Sequence, residues 1–171
     1  MLRVHVGFRL VSALAAFVIV ADQLSKFWAV EALTGRAPVA VVGDLIELRL
    51  IYNPGAAFSV AAGSTWLLTL VTAVAVIALG VAAVRVRSRG WAVALGLLLG
   101  GAVTHLADRL LREPGPGRGH VVDFIDYFGF FVGNVADIAL VAGAGLAVLL
   151  QLRGVTLTGA TEFAKAGPAA G

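Results

Sequence analysis

Apolar positions along the chain gather into four long runs. They span 9–28, 66–84, 91–107 and 132–152, and each is close to the roughly 20 residues that a helix needs to cross a hydrocarbon core. The second and third runs hold no formal charge, and the fourth is interrupted only by Asp137. Arg9 can reach back to one interface, and Trp28 suits the other. The pattern predicts an all-α membrane protein with four transmembrane helices. Gly96 and Gly100 form a small-xxx-small pair that suits close helix packing.

Between the runs the period changes. Ile46, Leu48, Leu50 and Tyr52 alternate with Glu47, Arg49 and Ile51, as in a half-buried strand. Asn53-Pro54-Gly55 then supplies turn chemistry. The second long connection has a Gly/Pro-rich turn at 113–119, followed by 121–131, rich in aromatic and acidic residues. These features predict a small β-sheet region and a loop on the outer, extracytoplasmic face. One membrane-embedded domain is expected over 1–153, with a disordered cytoplasmic tail over 154–171.

Composition agrees with a bilayer. Of 171 residues, 60% are hydrophobic and 13% charged, against about half and a quarter in soluble domains. The absence of cysteine excludes disulfides, thiolate metal sites and cysteine nucleophiles. A net charge of +3 would suggest nucleic acid in a soluble chain, but here topology accounts for it. Arg3 and Arg9, then Arg85, Arg87 and Arg89, then Arg153 and Lys165 fall on one side, which reads as cytoplasmic. Both termini are therefore expected inside. The bias is modest, because Arg36, Arg49, Arg109, Arg112 and Arg118 lie in the outer connections. A cleaved signal peptide over the first run is disfavoured, since Asp22 and Lys26 follow directly and no convincing small-residue cleavage site is present.

Ionisable residues within spans are functional candidates. Asp22 and Lys26 share a helix face at the end of the first run. They read either as an interfacial ion pair or as part of a site. Asn53–Phe58 reads as a turn, with Ala56 and Ala57 small enough to let another chain approach. His105, Asp108 and Arg109 fall on one face of the third span. They form a site or an interfacial salt-bridge network. Asn134 and Asp137 share a face of the fourth span, and Asp123 lies shortly before it. Asp137 has no basic neighbour in sequence, so it needs a proton or a partner from another segment.

Two carboxyls brought together share a proton, because both cannot easily ionise. One then activates water and the other donates a proton. That is aspartyl protease chemistry. A Ser–Lys dyad is disfavoured, because Ser25 and Lys26 are adjacent and diverge on a helix. A metal site has poor support, since His5 lies on the opposite side from His105 and His120.

The segments Asp22-Gln-Leu-Ser-Lys26, Asn53-Pro-Gly-Ala-Ala-Phe58, Gly100-Gly-Ala…Asp108-Arg109, Val122-Asp-Phe-Ile125 and Asn134-Val-Ala-Asp137 resemble, in order, the motifs of the lipoprotein signal peptidases (signal peptidase II). The resemblance covers nearly the whole chain up to the fourth span. It implies an aspartyl endopeptidase of the bacterial cytoplasmic membrane, with its active site near the outer face. Such an enzyme removes the signal peptide of a prolipoprotein just before a diacylglyceryl-modified cysteine. It also implies Asp123 and Asp137 as the catalytic pair. Asp22, Lys26, Asn53, Asp108, Arg109 and Asn134 would support the site or bind substrate, as would His105 in its place. Lipidated prolipoproteins and membrane lipid are the expected partners of a monomer, without nucleic acid, metal or cofactor. A non-catalytic lipoprotein-binding relative and a proton-coupled carrier are the rival readings.

The chain departs from the family pattern twice. Thr104-His105 replaces the usual Gly-Asn, putting a bulkier, chargeable group where an amide is expected. Gly133 replaces a Phe before Asn134, which is expected to loosen the start of span four.

Overall fold

The computed structural model describes residues 2–55 and 64–159, with side chains described from Val6. Ala56, Ala57 and Phe58, expected to admit a neighbouring chain, lie outside the described residues. Among the described residues four helices dominate: α1 (Leu2–Leu33), α2 (Thr65–Arg85), α3 (Arg89–Leu111) and α4 (Val135–Leu152). All four are long and apolar enough to cross a membrane. Four short strands among the described residues, β1 (Val39–Val42), β2 (Ile46–Asn53), β3 (Val121–Tyr127) and β4 (Phe131–Gly133), form one antiparallel sheet in the order β1-β2-β3-β4.

Helix α3 is central, packed against α1, α4 and α2. Small residues make this close approach feasible. A Cβ at Gly96 would lie 2.8 Å from Leu14 Cβ of α1, and one at Gly100 would lie 2.7 Å from Val18 Cβ. On the other side, a Cβ at Gly101 would lie 2.6 Å from Leu140 Cγ of α4. The glycine pair read from the sequence is thus the seam between α1 and α3.

Three expectations change. Helix α1 does not end near Trp28 but continues to Leu33, so Asp22 and Lys26 lie inside the bundle, both completely buried. They form the ion pair that their spacing allows, at 2.7 Å, within the bundle and away from its surface. The fourth helix begins at Val135, not 132, because Phe131–Gly133 pairs with β3 as a strand. Apolar composition cannot distinguish such a strand from the first turn of a span. In β2 the simple alternation fails: a bulge separates the pairs Leu48↔Ile125 and Ile51↔Asp123. An extra residue reverses the faces beyond it, and Tyr52, expected on the apolar face, is half exposed. Leu48 and Leu50 pack against Ala29, Leu33 and Phe124, joining the sheet to α1.

Residues 154–159, expected to be disordered, instead fold back on the α2–α3 link. Leu157 O accepts the amides of Arg87 and Ser88 at 2.9 and 3.0 Å. Trp91 Nε1 donates to Val155 O at 2.6 Å. Residues 160–171 lie outside the described residues.

Candidate active site

Strand register brings the first pieces together. Asn53 pairs with Val121, and Asp123 lies two residues along on the same face. Asn53 Nδ2 donates to Asp123 Oδ2 at 2.9 Å, while Gly55 N–H donates to Asn53 Oδ1 at 2.9 Å. The turn after β2 therefore fixes the amide that meets the carboxyl. Arg109 donates to the carbonyls of Pro54 and Gly55, and Thr65 Oγ1 to Pro54 O at 2.8 Å, which tie this turn to α3 and α2.

The start of α4 brings the rest. Asn134 is its N-cap: its Oδ1 accepts Asp137 N–H at 3.2 Å, and Asp137 Oδ2 accepts Asn134 N–H at 2.9 Å. This reciprocal capping box locks Asp137 in the first helical turn. An anion is favoured there by the helix dipole. Asn134 Nδ2 also donates to Asp123 Oδ1 at 2.7 Å. One amide side chain thus links both aspartates. Asp137 is therefore not deep within an apolar span, as its position in the hydrophobic run implies, but at the mouth of one.

Asp123 is buried, whereas Asp137 is about a quarter exposed. Burial, reinforced by the nearby Asp137, pushes the Asp123 carboxyl up to about 6 against the opposing hydrogen bonds from Asn53 and Asn134. His105 Nε2 lies 3.3 Å from Asp137 Oδ1. It is a close contact from another segment, but no hydrogen bond is formed across it. Both aspartates, His105, Asn53 and Arg109 line a cavity of about 300 Å³, whose apolar part comes from Leu68, Val71 and Ala75 of α2, Ala102 of α3 and Leu140 of α4.

The expected common face of His105, Asp108 and Arg109 is divided. His105 and Arg109, four apart, line the cavity. Asp108 turns the other way into a buried ion cluster. Lys26 Nζ lies 2.7 Å from Asp22 Oδ2 and 2.8 Å from Asp108 Oδ2, and Arg112 Nε lies 2.7 Å from Asp108 Oδ1. Gln23 Nε2 adds a bond to Asp108 Oδ1 at 3.1 Å. Arg112 and Gln23 were not singled out in the sequence, although Asp108 and Arg112 stand at ion-pair spacing on a helix.

Gly133 does not loosen the start of α4. It is buried, and a Cβ there would lie 2.7 Å from Phe131 Cε1 and 2.8 Å from Asp137 Oδ2. The Phe131 ring, stacked on Tyr127, fills the adjoining space. Among the described residues, no three His, Cys, Asp or Glu side chains are grouped as a metal site would require.

Residues 14–153 match the family described as Signal peptidase (SPase) II. The lipoprotein signal peptidase of Rhodococcus jostii is 47% identical over 146 residues, covering 85% of this chain and 74% of that protein. That of Mycolicibacterium smegmatis is 48% identical, covering 85% and 62%. A solved structure described as a bacterial membrane enzyme, determined by the in meso method at 1.9 Å, is 27% identical with a TM-score of 0.71. The match covers 82% of this chain and 91% of that one. The chain belongs to the signal peptidase II family and is a multi-pass bacterial membrane peptidase.

Proposed function

We propose that the protein is an aspartyl endopeptidase that removes signal peptides from prolipoproteins immediately before the diacylglyceryl-modified cysteine, with Asp123 and Asp137 as its catalytic pair. The observation that carries this reading is the convergence of the two carboxyls on one cavity, without a lysine or arginine salt bridge to either among the described residues. Uncompensated neighbouring carboxyls hold one proton between them. The ionised member takes a proton from water as the water oxygen adds to the scissile carbonyl carbon. The protonated member donates to the carbonyl oxygen. Collapse of the tetrahedral species then breaks the C–N bond, and a proton passes to the leaving amine.

The surroundings suit such a substrate. Apolar side chains of α2, α3 and α4 line the cavity beside the aspartates, which suits an apolar signal helix and an acyl chain that enter from the bilayer. Asn53 and Asn134 hold Asp123 without neutralising it, and Arg109 and His105 complete the polar wall. The basic link at Arg85–Arg89 supports cytoplasmic termini, with the site near the outer surface, where water is available. Buried polar groups gather at the end where α1 and α3 finish and α4 begins, which favours a peptidase over a carrier needing a relay across the bilayer.

The test is cleavage of a lipidated prolipoprotein by Asp123→Asn and Asp137→Asn in detergent. Each is expected to lose at least about a thousandfold in kcat while keeping its helical circular dichroism. Turnover near the wild-type rate by either folded variant would overturn the assignment of the pair.

A further inference from the structure

Strand β3 has β2 along one side, but on its other side β4 reaches back only to Ile125, opposite Gly133. Val122 lies beyond that pairing, yet both its backbone groups are satisfied. Its N–H donates to Asp108 Oδ2 at 3.3 Å, and its C=O accepts from Asn134 Nδ2 at 3.2 Å. Helix α4 likewise begins with amides that no helical carbonyl can accept. Ala136 N–H goes to Asp22 Oδ1 at 2.9 Å. Asp22 and Asp108 therefore each hold the amide one residue ahead of a dyad aspartate: Ala136 before Asp137, and Val122 before Asp123. Lys26 Nζ joins the two, at 2.7 and 2.8 Å.

We infer that Asp22, Lys26 and Asp108 form a clamp behind the site that sets the spacing of the Asp123 and Asp137 carboxyls, as positioning residues that never touch substrate. None of the three lines the active-site cavity. Lys26 is completely buried, so its charge is compensated only within the cluster. Removing it leaves two buried carboxylates that repel, and each carries a backbone amide of the site with it. Catalytic geometry tolerates displacements of only about 0.5 Å, and the chemical step is far more sensitive to them than apolar substrate binding is. The clamp therefore acts on kcat rather than KM. This inference rests on the assignment of Asp123 and Asp137 as the pair.

Three full-length variants in detergent test it, with kcat and KM for a lipidated prolipoprotein and the melting temperature measured on each. Lys26→Met is expected to lose at least tenfold in kcat with KM within twofold. Adding Asp22→Asn removes one uncompensated charge and keeps an oxygen for Ala136 N–H, and is expected to recover at least threefold of that loss. Adding Asp22→Leu removes the same charge without an acceptor, and is expected to recover nothing. If Lys26→Met does not fold, the comparison between the two double variants carries the test. Equal kcat in the Asn and Leu double variants at equal melting temperature would overturn the clamp, as would a loss confined to KM. Failure of the dyad reading itself shows separately, as retained turnover in Asp123→Asn or Asp137→Asn.

Discussion

Two pairs of aspartates meet near the same end of the bundle, and they are treated in opposite ways. Asp22 and Asp108 are buried, with an ammonium between them and a guanidinium on Asp108. All four carboxylate oxygens of that pair have a donor, so its charges are spent on structure. Asp123 and Asp137 have amides, a backbone N–H and one imidazole, but no lysine or arginine salt bridge among the described residues. On the proposed assignment, compensation rather than burial separates a structural carboxylate from a reactive one, since Asp123 is nearly as buried as Asp108.

The largest effect that sharpens this contrast is on stability. Lys26→Met leaves two buried carboxylates without their shared ammonium, which costs about 3–5 kcal/mol. Asp137→Asn changes a partly exposed side chain and costs about 1 kcal/mol or less. Thermal unfolding in detergent separates them. Equal losses would erase the distinction between the two regions.

The next effect is a pH slope. Asp123 has its carboxyl raised in the folded state to about 6 from a usual 3.8, so the folded protein holds that proton more tightly than the unfolded chain. The stabilisation is fully present below about pH 4 and is lost as pH rises through 6, on the order of 3 kcal/mol in all. Melting temperatures of wild type and Asp123→Asn across pH 4–8 check it. The difference between the two proteins is expected to move in favour of the variant as pH rises, and a constant difference would contradict the raised carboxyl.

A smaller effect is expected at Gly133. Gly133→Ala puts a methyl against Phe131 and Asp137 Oδ2, costing about 1–2 kcal/mol by overpacking and lowering kcat severalfold as Asp137 shifts. Unchanged kcat and stability would mean that Asp137 has room to spare. The smallest belongs to His105→Asn, which restores the family's usual amide. A change in kcat within about tenfold is expected, since a single close contact with Asp137, not a formed hydrogen bond, is at stake. Complete loss would promote His105 into the catalytic group itself.

The spans were legible because apolar runs of that length have few other uses, and the candidate site residues because Asn53, His105, Arg109, Asp123 and Asp137 do line one cavity, with Asn134 bonded to both aspartates behind it. What stayed hidden had physical reasons. Asp22 and Lys26 look like a self-contained pair at the end of a span, since Asp108, which Lys26 also holds, lies on α3, and Arg112, which holds Asp108, lies just beyond it. Phe131–Gly133 reads as membrane helix, since only the pairing with β3 reveals a strand. The β2 bulge leaves only a slight trace, the break in alternation at Leu50-Ile51-Tyr52. The capping role of Asn134 and Asp137 was readable from their three-residue spacing, but was masked by the apolar run around them.

The most direct test is a gel-shift cleavage assay of the purified protein with a diacylglyceryl-modified prolipoprotein and with the same substrate lacking lipid. The account predicts cleavage of the lipidated form alone, just before the modified cysteine. No cleavage of either form by a demonstrably folded protein would contradict it and leave a scaffold that binds lipoproteins without processing them.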